Sequence, residues 1–328
     1  MIKHLTLALA IAGFSFTLPA LADSASTEPL AVASASSSQT LSPLTQHNAL
    51  QALLSDSKVR VLDLRAPEDY AAGHIPGAIN TPYGRFRGPQ DNAGQLRSAA
   101  ELTELLRQAG IDHDSRIIIA HGGKDSTDFG AAARVYWTLK VGGLQQLSIL
   151  DGGTRLWAEK GGQLSQEKPA IQPSEFSYQY DESQLVSSDS LAAELQNNTA
   201  PALIDARPPR FFSGEARVDA AARYGTLPGA RDLDYNQFFA EDGITLKPLN
   251  ELQALVATAG LSSKPALSFC NTGHWAATNW FVISELAGNK EIKLYPASVV
   301  EWSKRDLPME NEPSRLTALY QDVKRALQ

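Results

Sequence analysis

Apolar and polar positions follow two different periods along most of the chain. Apolar, β-branched runs at residues 59–63 and 116–120 are bounded by polar turn residues, which is typical of buried strands. Between these runs, apolar positions recur at helical spacing, with a capping box formed by Ser98 and Glu101 and a stop signal at Gly110. The pattern therefore predicts an α/β fold from residue 44 onward.

A series of short motifs occurs twice in the same order, and the second copies follow the first by 142 to 152 residues. The pairs are residues 61–65 and 203–207, 75–78 and 227–230, 109–110 and 259–260, and Trp157 and Trp302. A nearly constant offset over four motifs indicates a duplicated domain. Because Asp63 with Arg65 and Asp205 with Arg207 recur in both copies, we interpret them as structural ion pairs, and the two tryptophans as packing anchors.

The first residues have the pattern of a targeting segment. Residues 1–22 combine Lys3, an apolar run from 5 to 18 and an Ala-Leu-Ala cleavage site, which predicts a secretory signal peptide. Residues 23–43 are rich in Ser, Ala and Thr, as in a flexible spacer. We therefore expect an exported protein, located in the periplasm if the source is a Gram-negative bacterium.

Changes in composition suggest the remaining boundaries. We predict a first domain at residues 44–160, a linker at 161–180 and a second domain at 181–312. A C-terminal helix is predicted at 313–328. Its apolar residues have helical spacing and are expected to pack on one of the domains; they are Leu316, Leu319, Tyr320, Val323 and Leu327.

Composition and charge exclude several classes of protein. With 43% hydrophobic and 20% charged residues, the chain has the composition of a globular protein and not of a disordered one. A net charge of −7 argues against nucleic acid or an anionic membrane as the main partner. After residue 22 no apolar run reaches the roughly 18 residues of a membrane span, so we expect no membrane anchor.

The chain has one cysteine, Cys270. It follows a predicted strand at 266–269 and precedes a predicted helix at 276–287, so its sulfur is expected near unpaired backbone N–H groups and the positive end of the helix dipole. That environment favours a thiolate and forms a cradle for an anion. The alternative is a buried, inert cysteine, because free cysteine is among the most buried residue types.

These motifs resemble the rhodaneses, which are tandem-domain sulfurtransferases. The resemblance is carried by the paired Asp-x-Arg strands, residues 73–78, residues 150–153 with Trp157, and the Cys270 loop, and it covers residues 44–312. It implies two rhodanese-like domains, each with a central, mostly parallel sheet flanked by helices. It also implies that the second domain is catalytic, whereas the first has His121 at the position of the cysteine.

The resemblance implies that Cys270 takes a sulfane sulfur from 3-mercaptopyruvate or thiosulfate as a persulfide. The acceptor is then a thiol, which can belong to a protein, or cyanide. The substrate and persulfide cradle is expected in the loop after Cys270, with Thr272 and Gly273 at its centre; its residues are Asn271, Thr272, Gly273, His274, Trp275 and Ala276. Gly273 is expected to permit the turn and a close backbone approach. His274 either adds partial positive charge at the rim or is an exposed loop residue.

Two arginines match substrate-binding positions of the mercaptopyruvate subfamily. Arg210 and Arg217 lie in an expansion of the second copy, and each is either a carboxylate ligand or a solvated surface residue. Thiosulfate-using members of the family have cationic side chains in this loop, so the resemblance, with neutral Asn271 and Thr272, argues against thiosulfate as the donor. His274 and Trp275 fit neither subfamily. No metal or organic cofactor is implied, because the histidines have no ligand spacing.

Other chemistries of a cysteine loop fit less well. Phosphatases of the Cys-x5-Arg type have an arginine where this chain has Ala276. A protease-like pair of Cys270 and His274 would lie within one tight loop, without a third group to orient the base. The alternative that stays open is a non-catalytic sulfur carrier or small-anion-binding module.

Overall fold

The structure, a computed structural model, describes residues 40–327 of the chain. The signal peptide predicted for residues 1–22 lies outside the described residues, as does the predicted spacer as far as residue 39. The end of that spacer packs on the first domain, where Leu41 is buried and its N–H donates to Oε1 of Gln146 at 2.8 Å. Packing therefore begins ahead of the boundary predicted at residue 44.

The first domain contains a five-stranded sheet in the order β1-β5-β4-β2-β3, and all of its strand pairs are parallel. Its strands are β1 (Leu44–Thr45), β2 (Val59–Asp63), β3 (Ile79–Asn80), β4 (Arg116–Ala120) and β5 (Leu147–Leu150). Its helices are α1 (His47–Leu53), α2 (Pro67–Ala72), α3 (Ala99–Gln108), α4 (Ser126–Val141) and α5 (Gly153–Glu159). The predicted capping box of Ser98 and Glu101 is confirmed at the start of α3.

The second domain repeats this arrangement with four parallel strands in the order β7-β6-β8-β9. Its strands are β6 (Ala202–Asp205), β7 (Arg231–Asp232), β8 (Ala266–Phe269) and β9 (Ile292–Leu294). Its helices are α6 (Ser188–Gln196), α7 (Pro209–Phe212), α8 (Leu249–Thr258), α9 (Trp275–Phe281), α10 (Ser298–Lys304) and α11 (Arg315–Ala326). Reversed, the order reads β9-β8-β6-β7, which matches β5-β4-β2-β3. The predicted duplication of an α/β domain with a parallel sheet is therefore confirmed.

Short helical turns complete the two domains. They are 3₁₀ turns at Tyr83–Phe86, Gln90–Asn92, Glu182–Gln184 and Tyr235–Phe238, and a π-helical turn at Val282–Leu286 that continues α9. The first of these turns and α9 enclose the candidate site described below.

The repeated Asp-x-Arg motifs form the predicted ion pairs. Arg65 and Arg207 each donate to the aspartate two residues earlier, with a shortest distance of 2.6 Å in both domains. Trp157 and Trp302 are both buried, and their indole N–H groups donate to backbone carbonyls six residues later at 2.9 and 2.8 Å. These predictions of structural roles are confirmed.

The two domains share one hydrophobic core. Helices α4 and α9 follow the equivalent strands β4 and β8 and lie against each other. Phe129 of α4 makes edge-to-face contacts with Phe281 and Phe239 of the second domain, at centroid distances of 5.8 and 5.5 Å. Because α9 packs on the first domain, the cysteine loop that precedes it also faces that domain.

The segment predicted as a linker, residues 161–180, is part of this packing. Phe176 and Tyr178 are buried against the first domain, and the Tyr178 hydroxyl donates to the carbonyl of Thr138 in α4 at 2.6 Å. The two domains are therefore joined by an extended segment that is itself part of the core.

The predicted packing of the C-terminal apolar residues is wrong. The five side chains are between 52% and 82% exposed; they are Leu316, Leu319, Tyr320, Val323 and Leu327. Helix α11 is held instead through its polar side, where Asp322 accepts from Arg217 at 2.9 Å and from the Tyr224 hydroxyl at 2.7 Å. None of the helices within residues 40–327 has the length and hydropathy needed to cross a bilayer.

Candidate active site

Cys270 follows the last residue of β8 directly and is 1% exposed. Ser298, at the start of α10, holds its loop in place. The Oγ of Ser298 accepts the N–H groups of Cys270 and Gly273, both at 3.1 Å, and donates to the carbonyl of Tyr295 at 2.8 Å. The backbone of Ser298 is left-handed, with φ of 55°. No sequence motif indicated this serine, because it lies 28 residues beyond the cysteine.

Gly273 has the role predicted for it. Its φ is 67°, a region that favours glycine, and a Cβ there would collide with the Arg134 guanidinium and lie 2.6 Å from the carbonyl of Pro296. Its N–H, however, is bound to Ser298, so the expectation that this group lies at the centre of the cradle needs correction.

The other N–H groups of the loop remain available. Within the described part of the chain, no acceptor binds the backbone N–H of residues 271, 272, 274, 275 or 276. Successive N–H groups without acceptors beside a buried cysteine can stabilise a negative charge on its sulfur or on an adduct. This is the environment that the strand-loop-helix pattern predicted for Cys270.

Two arginines of the first domain donate to this loop, and neither was predicted from the sequence. Arg87 is 8% exposed; its Nη1 donates to the Thr272 carbonyl at 3.0 Å and its Nη2 to the Thr272 hydroxyl at 2.7 Å. Arg134 of α4 is fully buried, and its Nη1 donates to the carbonyls of Thr272 and Gly273 at 3.3 and 3.2 Å. Burial, with a smaller contribution from the Arg87 charge, lowers the pKa of Arg134 to about 10, so it stays cationic at neutral pH.

His274 is bound at both ring nitrogens by the first domain. Its Nε2 lies 2.8 Å from the carbonyl of Thr127, which can only accept, so Nε2 carries the proton. Its Nδ1 therefore accepts from the Tyr83 hydroxyl at 2.8 Å, and the Tyr83 oxygen accepts in turn from Arg87 at 3.0 Å. Gly130 of α4 leaves room for the ring, since a Cβ there would lie 3.0 Å from Nε2.

This environment keeps His274 neutral. Burial, followed by the charge of Arg87, lowers the pKa of His274 to about 3. Neither interpretation from the sequence holds, because the imidazole is not an exposed loop residue and carries no positive charge. Its role is to fasten the cysteine loop to the first domain.

The remaining loop residues also make specific contacts. The Oδ1 of Asn271 accepts from Arg207 at 3.3 Å, so the repeated ion pair of the second domain touches the loop. Trp275 stacks on Tyr235 with a centroid distance of 5.2 Å, and its Nε1 donates to the hydroxyl of Thr127 at 3.3 Å. Ala276 is buried, and its carbonyl accepts from the Ser268 hydroxyl at 3.0 Å.

Arg210 and Arg217 lie together in a separate cleft of about 590 Å³ between α7 and α11. Arg217 is already engaged, because its guanidinium donates to Asp322 at 2.9 Å and to the carbonyl of Ala221 at 2.7 Å. Arg210 is exposed, with its guanidinium 5.0 Å above the Phe211 ring. The ring of Phe211 packs in turn against that of Trp275, with a centroid distance of 5.9 Å, which links this cleft to the cysteine loop.

In the equivalent loop of the first domain, carboxylate side chains accept hydrogen bonds from the backbone. His121 replaces the cysteine and is buried, and burial lowers its pKa to about 4. The N–H of Lys124 donates to Asp128 at 3.1 Å, and the N–H of Asp128 donates to Asp125 at 2.9 Å. The first loop therefore carries carboxylates that bind its own backbone, where the second loop carries none. Among the described residues, no three His, Cys, Asp or Glu side chains converge as a metal site.

The chain is similar to known proteins over nearly all of the described region. Residues 46–160 and 187–305 match a family model described as "Rhodanese-like domain". A protein named as a candidate thiosulfate sulfurtransferase in Synechococcus elongatus is 28% identical over 274 residues, covering 80% of this chain and 83% of the relative. Sulfur carrier protein TtuD of Thermus thermophilus is 30% identical over 267 residues, covering 77% of this chain and 90% of the relative.

The fold also matches a solved structure. The 3-mercaptopyruvate sulfotransferase SseA from Escherichia coli superposes with a TM-score of 0.67, covering 78% of this chain and 98% of that chain. The sequence identity of 23% establishes a shared fold and no more.

Proposed function

Because the chain belongs to the rhodanese family of sulfurtransferases, with two rhodanese-like domains in tandem, we propose that it transfers sulfane sulfur through a persulfide on Cys270. The observation that carries the proposal is the set of free backbone N–H groups that follows this single buried cysteine. Such donors stabilise negative charge where it develops, and they need no reorganisation during the reaction.

The reaction has two steps. The Cys270 thiolate attacks the outer sulfur of thiosulfate, a new S–S bond forms, and sulfite leaves with the electron pair of the broken S–S bond. With 3-mercaptopyruvate the C–S bond breaks instead, and the thiol proton ends on the methyl carbon of pyruvate. An acceptor thiolate or cyanide then attacks the terminal sulfur of the persulfide and regenerates the Cys270 thiolate.

In this proposal Arg210 is the candidate contact for a carboxylate donor. Within the described residues its guanidinium has no hydrogen-bond partner, and a planar fork of N–H groups fits a carboxylate. Arg217 is a weaker candidate, because Asp322 and a backbone carbonyl already occupy its N–H groups.

A sulfur carrier is the second candidate function. A relative with 30% identity is named as a sulfur carrier. In this function the persulfide forms but passes only to the thiol of a partner protein.

Intact-protein mass spectrometry and a turnover assay distinguish these candidates. Incubation with thiosulfate or 3-mercaptopyruvate should add about 32 Da to the wild-type chain and nothing to Cys270→Ser. Thiocyanate release from cyanide would support the enzyme, whereas an adduct without turnover on cyanide or small thiols would support the carrier. Absence of the adduct with both donors would overturn the persulfide proposal.

We also propose that the protein is exported to the periplasm, on the pattern of residues 1–22 alone. In a Gram-negative host, the mature protein recovered from the periplasm should begin at Asp23. Recovery of the chain in the cytoplasm with residues 1–22 intact would contradict export.

A further inference from the structure

We propose that the first domain, which carries no cysteine, supplies the positive charge of the active site through Arg87 and Arg134, and that this charge favours strongly anionic sulfur donors such as thiosulfate. The inference rests on the sulfur transfer proposed above. It adds the domain and the residues that set the donor class.

The cysteine loop itself provides no positive charge. Residues 270–276 contain neither lysine nor arginine, and His274 is neutral. Arg207 reaches Asn271, but its charge is compensated by Asp205 at 2.6 Å. Taken alone, the loop would attract a dianion poorly.

Arg87 and Arg134 form a pair of buried like charges. All of their hydrogen bonds go to neutral oxygens, and within the described part of the chain neither has a carboxylate at ion-pair distance. The Nε of Arg134 is buried without any partner. Burying two cations without a counter-ion is costly, which indicates that a negative group compensates them in the working protein.

The contacts of the two arginines indicate which group that is, because the carbonyls they bind belong to the second and third residues after Cys270. Arg87, Tyr83, Cys270 and Tyr180 are also the groups that act electrostatically on Arg134. Burial raises the pKa of Tyr83 and raises that of Tyr180 to about 12, so both phenols are neutral near pH 7. In the proposed reaction the negative group at this place is the persulfide on Cys270. The anionic donor adds its own charge at the same place.

The same arginines also orient the loop. They hold the carbonyls of Thr272 and Gly273 towards the first domain. Because peptide units are planar and trans, the N–H of His274 points in the direction opposite to the Gly273 carbonyl. Arg134 therefore acts as a positioning residue for one of the free N–H groups, besides contributing its charge.

Charge and orientation predict different dependences on the donor. The electrostatic energy between an arginine and the donor scales with the charge of the donor. The logarithm of the factor by which persulfide formation slows is therefore twice as large for the thiosulfate dianion as for the 3-mercaptopyruvate monoanion. A loss of loop order would slow persulfide formation by the same factor for both donors.

The test compares Arg87→Gln, Arg87→Lys and the control Arg85→Gln. The exposed Arg85 guanidinium lies in the same segment and, among residues 40–327, donates only to Gln108. In single turnovers at pH 7, Arg87→Gln should lower kcat/KM of persulfide formation about tenfold with 3-mercaptopyruvate and about a hundredfold with thiosulfate. Arg87→Lys should keep the wild-type ratio of the two donors within about threefold. Equal losses for both donors, or no loss, would overturn the inference.

A second measurement does not depend on sulfur transfer. Anionic iodoacetate and neutral iodoacetamide need the same access to Cys270. The rate of alkylation by iodoacetate divided by the rate with iodoacetamide therefore reports the electrostatic potential at the sulfur. We expect this ratio to fall about tenfold in Arg87→Gln and to stay unchanged in Arg85→Gln. A constant ratio refutes the electrostatic role even if no donor forms a persulfide, and a fallen ratio supports it in that case. The alkylation ratio therefore tests the role of Arg87 even if the protein transfers no sulfur.

Discussion

His121 and Cys270 occupy equivalent positions, and side chains of opposite charge bind the backbone of their two loops. Carboxylates of Asp125 and Asp128 bind the backbone of the first loop, while Arg87 and Arg134 donate to the second. A carboxylate repels a bound anion and a guanidinium attracts it. The difference between the scaffold domain and the candidate catalytic domain is therefore more than the loss of one thiol.

Two neutral histidines, the buried His121 and the partly buried His274, should make the stability of the protein depend on pH. The pKa values of His121 and His274 are lowered to about 4 and about 3 in the folded protein, mainly by burial. The unfolded chain then binds more protons than the folded one below about pH 6.5, so the free energy of unfolding falls as the pH decreases towards 4. Each histidine contributes at most about 1.4 kcal/mol per pH unit.

His121→Asn should reduce the slope of the free energy of unfolding against pH by up to about 1.4 kcal/mol per pH unit, as measured by urea unfolding between pH 4 and 6.5. The control is His113→Asn, which removes an exposed histidine and should keep the wild-type slope. A wild-type slope in His121→Asn would contradict the prediction.

Among the site residues, the sequence identified those whose roles depend on local geometry. Cys270 and Gly273 could be placed because a strand, a turn and a helix follow one another around them. Arg134 did leave a signal, since it is a lone charge among small and apolar residues at 129–137, which is typical of a helix buried on all sides. Arg87 left none, because its role depends on a contact with a residue 185 positions away.

At the scale of elements, α4 and α9 determine the environment of the site. They are equivalent helices of the two domains, and their packing places Thr127, Gly130 and Arg134 against the cysteine loop. The sequence pattern predicted a helix at 276–287, where α9 lies, but predicted neither α4 nor the contact between the two helices, since periodicity identifies an apolar face without identifying its partner.

Helix α11 gives the converse case, in which a correct periodicity led to a wrong prediction of packing. Because Leu319 is 62% exposed, Leu319→Ser should change the free energy of unfolding by no more than about 0.5 kcal/mol. The matched control is Leu105→Ser in α3, where a buried leucine is replaced and a loss of about 3 kcal/mol or more is expected. Chemical denaturation measures both, and a comparable loss for Leu319→Ser would mean that this face is buried.

At the scale of the whole molecule, the two domains should unfold together. Their shared core includes Tyr136 of α4, whose hydroxyl donates to the buried carboxylate of Glu285 at 2.9 Å. Lys140 lies 3.5 Å from the same carboxylate. This cluster joins the helix that follows β4 to the turn that continues α9, so it couples the two halves of the duplication.

Tyr136→Phe should lower the free energy of unfolding by about 1.5–3 kcal/mol, because it removes a buried hydrogen bond to a charged acceptor. Tyr224→Phe is the control, since that hydroxyl binds Asp322 on a partly exposed helix and its loss should cost about 1 kcal/mol or less. Thermal unfolding should remain a single transition in the wild type. Two separated transitions, or equal losses in the two variants, would contradict a common core.

By itself the sequence determined the α/β class, the duplication, the structural ion pairs and the cysteine as the candidate nucleophile. These follow from periodicity, repetition and residue chemistry, which are properties of short stretches of chain. The tertiary structure alone decided which N–H groups stay free, why His274 is neutral and which arginines reach the cysteine loop. The physical reason is that burial and long-range contacts set ionisation and hydrogen bonding, and both depend on the packing of one domain against the other.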